Sequence, residues 1–252
     1  MNKIELLDSL WKPVKAFIYR IICAADYARY LRFKATLIIF LSSIGLYEKQ
    51  HLDMLGTFVK RGDCAIDVGA HYGIYAEALR KLVSTEGAIV AIEPLPEVFD
   101  ILQNRLKQFS NIECLNCAAS DGSVSHLQLA VPSLAGGVPE PALASHHGSQ
   151  ESIYKVYSVP CKRLDDIEMK GKIAFIKIDV ESHEAEVIRG ASKLISAHRP
   201  AIQVEISKSS FELVSSNTPF GLNAYKVASL NNSELITLSK IDKEGIYYLL
   251  PF

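Results

Sequence analysis

The stretch "CAIDVGAHYGIYAEALRKL", which begins at Cys64, constrains the fold more than any other part of this 252-residue chain. Residues 65–68 have the apolar character of a strand, a turn containing two glycines follows at once, and a helical pattern of apolar residues comes next. A strand that passes through a tight turn into a helix is the repeating unit of doubly wound α/β sheets. The sequence therefore predicts an α/β fold built outward from this unit.

The alternation of strands and helices continues along the chain, which favours a largely parallel sheet. The predicted strands cover 65–68, 88–92, 112–117, 173–180 and 201–206, and the predicted helices cover 47–61, 73–83, 96–108 and 183–196. Two segments, "HLQLAV" and "YKVYSVPC", alternate with period two and predict a hairpin or edge pair. The Pro-, Gly- and Ser-rich loop between them includes His146 and His147 and is a candidate lid over a substrate. The last 28 residues predict a final antiparallel hairpin.

Residues 1–46 differ in character and are predicted to form an N-terminal helical segment preceding a catalytic domain at 47–252. Basic residues interrupt its apolar runs: Lys12, Lys15, Arg20, Arg29, Arg32 and Lys34. The uninterrupted apolar run 35–46 is too short to span a bilayer, and no clear signal-peptide cleavage site follows the early runs. Two interpretations remain: helices that pack on the domain and shape its cleft, or a basic amphipathic surface that rests on a membrane.

Charge and cysteine content exclude some classes of protein. The chain has 27 basic and 28 acidic residues, so no overall charge bias indicates a nucleic-acid partner. Its five cysteines are odd in number and scattered, which favours reduced thiols and a cytoplasmic protein, peripheral to a membrane if the N-terminal segment binds one. Cys114 and Cys117 have the spacing of a metal-ligand pair, but no second pair accompanies them, so we interpret them as core residues.

The turn after the first predicted strand indicates the type of ligand. A dinucleotide-binding turn has the pattern Gly-x-Gly-x-x-Gly, but the positions that would complete it from Gly69 are His71 and Ile74. The turn instead carries Asp67 before it and Gly73 at its end. A carboxylate there would repel a phosphate and suits a ligand with an ammonium or sulfonium group, such as S-adenosylmethionine.

Two later strand ends support this interpretation. Glu93 closes the second strand, where an acid can accept hydrogen bonds from both hydroxyls of a ribose. Ser120 and Asp121 close the third strand, where they can meet an adenine. Acids at three successive strand ends form a more specific pattern than any one of them alone.

These residues lie within blocks that resemble a known family. The blocks are "IDVGAHYGIYAEAL", "VAIEPLPEVFDILQNRL", "CAASDG", "RLDDI", "FIKIDVESHEAEVIRGA" and "RPAIQVEI", and together they look like the FkbM family of S-adenosylmethionine-dependent methyltransferases over residues 47–250. The resemblance implies a class I methyltransferase (Rossmann-like) fold with a seven-stranded sheet whose last strand is antiparallel. It also implies O-methylation, often of a sugar hydroxyl in a glycan, glycolipid or natural product. The chain departs from the family at His71, which replaces an asparagine, and at Ser182, which replaces a glycine.

Candidate site residues follow from the pattern and the resemblance together. The cofactor candidates are Asp67, Gly69, Ala70 and Gly73 for the methionine end, Glu93 for the ribose, and Ser120 and Asp121 for the adenine. The catalytic candidates are Asp179, Glu181, His71 and His183. Acids at a helix start also have a simple electrostatic explanation, and two carboxylates do not complete a metal site, so no metal is predicted.

The sequence is also compatible with other functions. The nearest is methyl transfer to a lipid-linked or other small-molecule hydroxyl, and a second is a degenerate methyltransferase fold that serves as a binding module. A base-methylating enzyme would carry an Asn/Asp-Pro-Pro-aromatic run after the fourth strand, where this chain has "DVES". No motif in the sequence selects the acceptor or the oligomeric state.

Overall fold

The structure is a computed structural model in which residues 26–134, 137–145, 152–206, 214, 225–231, 234–237 and 245–251 are described. The strands, in chain order, are β1 (Cys64–Val68), β2 (Ala88–Ile92), β3 (Ile112–Leu115), β4 (Ala118–Ala119), β5 (His126–Leu134), β6 (Val138–Pro139), β7 (Ser152–Lys162), β8 (Ile173–Ile178), β9 (Ala201–Ile206), β10 (Tyr225–Asn231), β11 (Glu234–Thr237) and β12 (Gly245–Pro251). The helices are α1 (Tyr27–Ser43), α2 (Lys49–Phe58), α3 (Ile74–Val83), α4 (Pro96–Leu106), α5 (Glu184–Gly190) and α6 (Ser192–His198).

The main sheet has the strand order β11-β10-β12-β9-β8-β1-β2-β3. Strands β3, β2, β1, β8 and β9 are mutually parallel, and β12 pairs antiparallel with both β9 and β10. The predicted doubly wound sheet with an antiparallel last strand is confirmed. The predicted count of seven strands is wrong, because Glu234–Thr237 pairs antiparallel with β10 and adds an eighth strand at the edge.

A second, smaller sheet with the order β4-β7-β5-β6 lies beside the main one. Strands β5 and β7 pair antiparallel from His126–Pro160 to Ser133–Ser152, which confirms the hairpin or edge pair expected from the period-two pattern. The predicted strand 112–117 ends at Leu115 in the main sheet, and the chain then enters the second sheet as β4. The chain therefore crosses from one sheet to the other at the point where Ser120 was predicted to meet the cofactor.

The helix predicted over 183–196 is two short helices, α5 and α6. The break falls at Gly190, where the helix packs against the backbone of β4 and its continuation. A Cβ at Gly190 would lie 2.0 Å from the carbonyl oxygen of Ser120, so only glycine permits this close approach. Gly190, the last residue of α5, is therefore required by this packing contact.

Among the described residues, three hydrophobic clusters form the core. One covers the face of the main sheet that packs on α5 and α6, a second covers the opposite face beneath α2, α3 and α4, and the third joins α1 to the second sheet. Successive side chains of β1 point to opposite faces of the sheet. Ile66 and Val68 therefore enter the first cluster, whereas Ala65 and Asp67 point toward the face covered by α2 and α3.

Helix α1 packs on the domain through Tyr30, Leu31 and Ala35, which are buried in the third cluster. This is the packing expected under the first interpretation of the N-terminal segment, although residues 1–25 lie outside the described part of the chain. Within the described residues, no helix combines the length and apolar character needed to cross a bilayer. Cys23, His146 and His147 also lie outside the described residues, so the predicted lid histidines have no described position.

Candidate active site

A pocket of about 650 Å³ opens at the carboxyl ends of β1, β2 and β8. In doubly wound sheets ligands bind at this edge, between strands whose connections run in opposite directions; here those strands are β1 and β8. The predicted site residues that line the pocket are Gly69, Ala70, His71, Glu93, Asp179, Glu181 and His183. The predicted residues outside the lining are Asp67, Gly73, Ser120 and Asp121.

The turn after β1 is held tightly against the neighbouring strands. The amides of Gly69 and Ala70 both donate to the carbonyl oxygen of Ile92, over 3.0 and 2.9 Å. Gly69 has φ +75°, and a Cβ there would lie 1.8 Å from the carbonyl oxygen of Asp179. The turn therefore needs glycine for two reasons, a left-handed backbone and the contact with the chain that leaves β8.

Glu93 is buried at the end of β2 with its carboxylate at the pocket wall. Its Oε2 accepts a hydrogen bond from the amide of His71 (3.0 Å), and its Oε1 accepts one from the amide of Leu95 (2.9 Å). Burial raises the pKa of Glu93 to about 7, although these two amides lower it. A carboxylate has about four lone-pair sites, so each oxygen retains acceptor capacity toward a ligand in the pocket.

Below the pocket, Lys177 forms the centre of a charged cluster in the sheet. Its Nζ lies 3.0 Å from Asp179 Oδ2, 3.8 Å from Asp67 Oδ1 and 3.4 Å from the carbonyl oxygen of Gly69. Burial lowers the pKa of Lys177, but the two carboxylates outweigh burial and the pKa is raised overall. Asp67 is fully buried, its oxygens have no hydrogen bond of good geometry to a described residue, and the backbone N–H of Ala76 is close enough to help lower its pKa. Lys177, rather than the pocket, faces this carboxylate.

Glu181 and Ser182 have left-handed backbone conformations, with φ of 49° and 72°. Such conformations cost energy in residues other than glycine, and the resemblance implies a glycine where this chain has Ser182. The amide of Ser182 donates to Glu184 Oε1 over 3.0 Å, so the first residue of α5 holds the turn that precedes the helix. Glu181 faces the pocket. Burial is the largest cause that raises its pKa, to about 7, and the negative charges of Asp179 and Glu205 raise it further.

His183 lies at the pocket wall with both ring nitrogens next to polar partners. Nε2 is 3.1 Å from Ser120 Oγ, and Nδ1 is 3.5 Å from Glu186 Oε2. The side chain of His183 is only 12% exposed, so it is not a solvated surface histidine. Ser120 contributes to the site indirectly, as the hydrogen-bond partner that orients this ring.

Asp121 points away from the pocket toward α5. Its Oδ2 accepts a hydrogen bond from Arg189 Nε (3.1 Å), and its Oδ1 accepts one from the amide of Ser123 (2.9 Å). Hydrogen bonds from Ser123, together with the Arg189 guanidinium, lower the pKa of Asp121 to about 2. The residues of this region that do line the pocket come just before it: Cys117, Ala118 and Ala119.

His71 occupies the family's asparagine position with φ 49°, a left-handed conformation that His tolerates better than most residues. Its Nε2 is buried and has no hydrogen-bond partner among the described residues. Burial, aided by the charges of Lys34 and Lys177, lowers the pKa of His71 to about 3. The ring is therefore neutral near pH 7 and can act only as a hydrogen-bonding or packing group.

Several pocket residues were missed by the sequence analysis. Lys177 is the only charged residue in the otherwise apolar strand "IAFIKI", which was a detectable signal of a special role. Lys34 of α1 forms an ion pair with Glu140, and both side chains line the pocket. Glu140 belongs to residues 140–144, part of the predicted lid loop, and these residues form one wall of the pocket. No local pattern distinguishes Lys34 or Glu140 from solvated charges, because their pairing spans 106 positions.

The pocket fits the ligand that the sequence predicted. Its volume is within the range of about 300–1,000 Å³ that is typical of small-molecule sites. The acidic lining, with Glu48, Glu93, Asp179 and Glu181, suits a ligand with an ammonium and a sulfonium group. Among the described residues, no group of three or more His, Cys, Asp or Glu side chains could hold a metal ion. Cys114 and Cys117 are free thiols, and Cys117 is buried.

Comparison with known proteins finds a curated relative and solved structures that this chain is similar to. The hexuronic acid methyltransferase AglP of Haloferax volcanii is 26% identical over 155 residues, and the match spans 60% of this chain and 59% of AglP. A candidate rRNA methylase of Clostridium thermocellum has a TM-score of 0.50 at 12% identity, covering 80% of this chain and 93% of that one, which shows the fold alone. The methyltransferase FkbM of Methylobacillus flagellatus is 16% identical with a TM-score of 0.47, covering 96% of this chain and 60% of that one.

The family is shown by a sequence profile. The profile of the methyltransferase FkbM domain matches residues 67–220, which is more than half of the chain. The matched region begins at Asp67 and includes β2, β8 and the residues after them that line the pocket. This protein therefore belongs to the FkbM family of S-adenosylmethionine-dependent methyltransferases.

Proposed function

We propose that this protein is an O-methyltransferase that transfers a methyl group from S-adenosylmethionine to a hydroxyl of a sugar. The observation that carries the proposal is the carboxylate of Glu181, which lines the pocket with a pKa raised to about 7, beside a turn and a Glu93 that suit the cofactor. Family membership supports the reaction class. The sugar acceptor is supported by the name of AglP, a hexuronic acid methyltransferase, at 26% identity.

The cofactor would be held by the residues that close β1 and β2. In this assignment Glu93 accepts hydrogen bonds from the ribose through its remaining lone pairs, and Ala118 and Ala119 pack against the adenine. The backbone turn at Gly69 and Ala70 approaches the methionine end, where Asp179 supplies a negative charge. When bound, S-adenosylmethionine supplies an electrophilic methyl group, whose bonding electrons stay with the departing sulfur.

We assign Glu181 as the general base that removes the proton of the acceptor hydroxyl. A hydroxyl oxygen becomes a better nucleophile as its proton is removed, and a base whose pKa lies near the working pH is best suited to remove it. Glu181 meets this condition because burial and neighbouring carboxylates raise its pKa. Asp179 is less suited to the role, because it forms an ion pair with Lys177 at 3.0 Å.

His183 and His71 are assigned supporting roles. The ring of His183 has Ser120 on one side and Glu186 on the other, so we propose that it shapes the pocket wall near the adenine. His71 is neutral and has an unpartnered Nε2 among the described residues, so we propose that this nitrogen bonds to bound cofactor or acceptor. Neither ring is needed as the base.

Two measurements test the proposal separately. Calorimetric titration of the purified protein with S-adenosylmethionine should show binding that is weakened in Glu93→Ala. A folded protein that does not bind the cofactor would refute the methyltransferase proposal and favour a binding module. Methyl uptake from labelled cofactor, screened over uronic acids and neutral glycosides, then tests the sugar acceptor.

The role of Glu181 has its own test, made at saturating cofactor with whichever acceptor takes up methyl. Glu181→Gln should lower kcat by about a hundredfold or more, which is the usual contribution of a general base. The kcat of the wild type should rise with pH through about 7 as Glu181 loses its proton, whereas the variant should lack this rise. Glu113→Gln, an exposed acid on β3, is the matched control. A variant with full kcat would exclude Glu181 as the base without affecting the cofactor assignment.

A further inference from the structure

Helix α1 carries an apolar stripe on the face that points away from the domain. The stripe consists of Phe33, Leu37, Phe40 and Ile44, which recur at spacings of three, four and seven residues and so share one side of the helix. Phe40 and Ile44 are 56% and 51% exposed. Leu31 and Ala35, on the opposite side, already attach the helix to the core, and Tyr30, at the flank of the stripe, is buried with them. Packing on the domain therefore does not explain the stripe.

Isolated exposed apolar residues are common and need no explanation, but a contiguous patch usually marks an interaction site. Two further exposed apolar residues follow the helix in the chain, since Leu46 and Tyr47 are 73% and 39% exposed. Six large apolar residues therefore lie along α1 and the turn that follows it. A surface of this kind needs a partner with an apolar component.

The charges around the stripe indicate which partner it is. Residues 1–46 contain seven basic and three acidic residues, whereas residues 47–252 contain 20 basic and 25 acidic residues. On α1 every charged residue is basic, and Arg29 and Arg32 are exposed beside the stripe. A two-fold contact between two copies of α1 would offer these arginines no acidic partner, because α1 contains none. An anionic lipid surface offers both an apolar layer and opposite charge.

We propose that α1 docks on an anionic lipid bilayer, with Phe33, Phe40, Ile44 and Leu46 inserted below the headgroups and Arg29 and Arg32 at the phosphate level. The helix lies in the plane of the interface, which is the arrangement that amphipathic helices with basic flanks adopt. Docking in this way does not depend on the methyl-transfer reaction.

The position of the pocket gives the docking a functional consequence. Lys34 and Ile38 belong to α1 and also line the pocket, as does Tyr47 of the following turn. The pocket mouth is therefore next to the docked surface. Resting on the proposed function, this placement favours an acceptor sugar that is carried on a lipid, since such an acceptor would be confined to the same interface.

Sedimentation of the full chain with vesicles tests the docking without any substrate. Binding is expected to vesicles of equal parts phosphatidylcholine and phosphatidylserine, to be much weaker with phosphatidylcholine alone, and to fall as salt screens the arginines. The double variant Phe40→Ser/Ile44→Ser should bind at least about tenfold more weakly, given the transfer free energy of two half-exposed apolar side chains. Val124→Ser/Ile236→Ser removes comparable exposed apolar residues elsewhere and should bind as the wild type does.

Three outcomes would overturn the proposal. These are no preference for anionic vesicles, equal binding by the stripe variant and the wild type, and a wild-type dimer in light scattering that the stripe variant loses. The last result would assign the stripe to an interface between copies. Circular dichroism and cofactor calorimetry on each variant separate this test from the proposed function, because the substituted residues lie outside the cofactor pocket.

Discussion

Lys177→Met is the substitution whose effect the structure defines best. The lysine is 7% exposed and lies between Asp67 and Asp179, so its removal leaves a fully buried Asp67 without its nearest positive charge. At 3.8 Å and an effective dielectric constant of about 20, the lost attraction is about 4 kcal/mol. This agrees with the loss of about 3–5 kcal/mol expected when one partner of a buried pair is removed. The contribution of Asp179 is smaller, because its side chain is 37% exposed and solvent screens it.

Urea unfolding followed by circular dichroism measures this loss as a fall in the free energy of unfolding. The loss should depend on pH. Burial raises the pKa of Asp67 above its unfolded value and Lys177 lowers it, so removing the lysine raises the folded-state pKa further. A group with a raised folded pKa costs stability as pH rises, and that cost disappears below the unfolded pKa. The variant should therefore be least impaired near pH 4, close to the ordinary pKa of Asp.

The double variant Asp67→Asn/Lys177→Met is the control. It removes the buried charge together with its partner, and it should recover a large part of the lost stability and most of the pH dependence. A Lys177→Met protein as stable as the wild type at pH 7 would refute the reasoning. So would a loss that is the same at pH 4 and pH 7, since that would indicate a packing defect.

Two further predictions concern the backbone. Gly69→Ala should lower the free energy of unfolding by more than about 3 kcal/mol and abolish cofactor binding, because its Cβ would lie 1.8 Å from the carbonyl oxygen of Asp179. Gly62→Ala, at φ +85° with nothing within 4 Å, should cost only about 1–2 kcal/mol in the same urea assay; equal losses would contradict the contact argument. Ser182→Gly should raise the free energy of unfolding by about 1 kcal/mol, because glycine adopts φ 72° without strain. Ser196→Gly in α6 is the control and should lower the free energy of unfolding by about that amount. A loss of stability at both positions would mean that Ser182 is not strained.

Much of the fold could be predicted because local patterns carry it. The strand, turn and helix at 64–83 and the period-two pairing of β5 with β7 each follow from residues that are close in sequence. The eighth strand and the break between α5 and α6 could not be predicted. Gly190, where α5 ends, lies against the carbonyl oxygen of Ser120, which is 70 positions away in the chain and is close only in the folded protein.

The candidate site residues also divide into those that line the pocket as expected and those that do not. Glu93, Glu181 and the turn at Gly69 were found because they follow strands directly, and the ends of parallel strands meet at one edge of a sheet. Ser120 and Asp121 also follow a strand, but the chain has already turned into the second sheet there. Their side chains consequently face His183 and Arg189. Position after a strand therefore predicts pocket lining only while the chain remains in the main sheet.

Asp67 is a buried carboxylate whose compensating group could not be identified correctly from the sequence. A carboxylate near the end of an apolar strand is expensive unless another group compensates it, and the sequence analysis assigned that group to the cofactor. The structure has Lys177 directly beside Asp67 in the register of β1 and β8. The doubly wound strand order already places the fourth parallel strand next to the first, and Lys177 and Asp179 share a face because they are two residues apart. The sequence does not determine the register of β1 against β8, and a shift by one residue would have turned the lysine to the opposite face of the sheet.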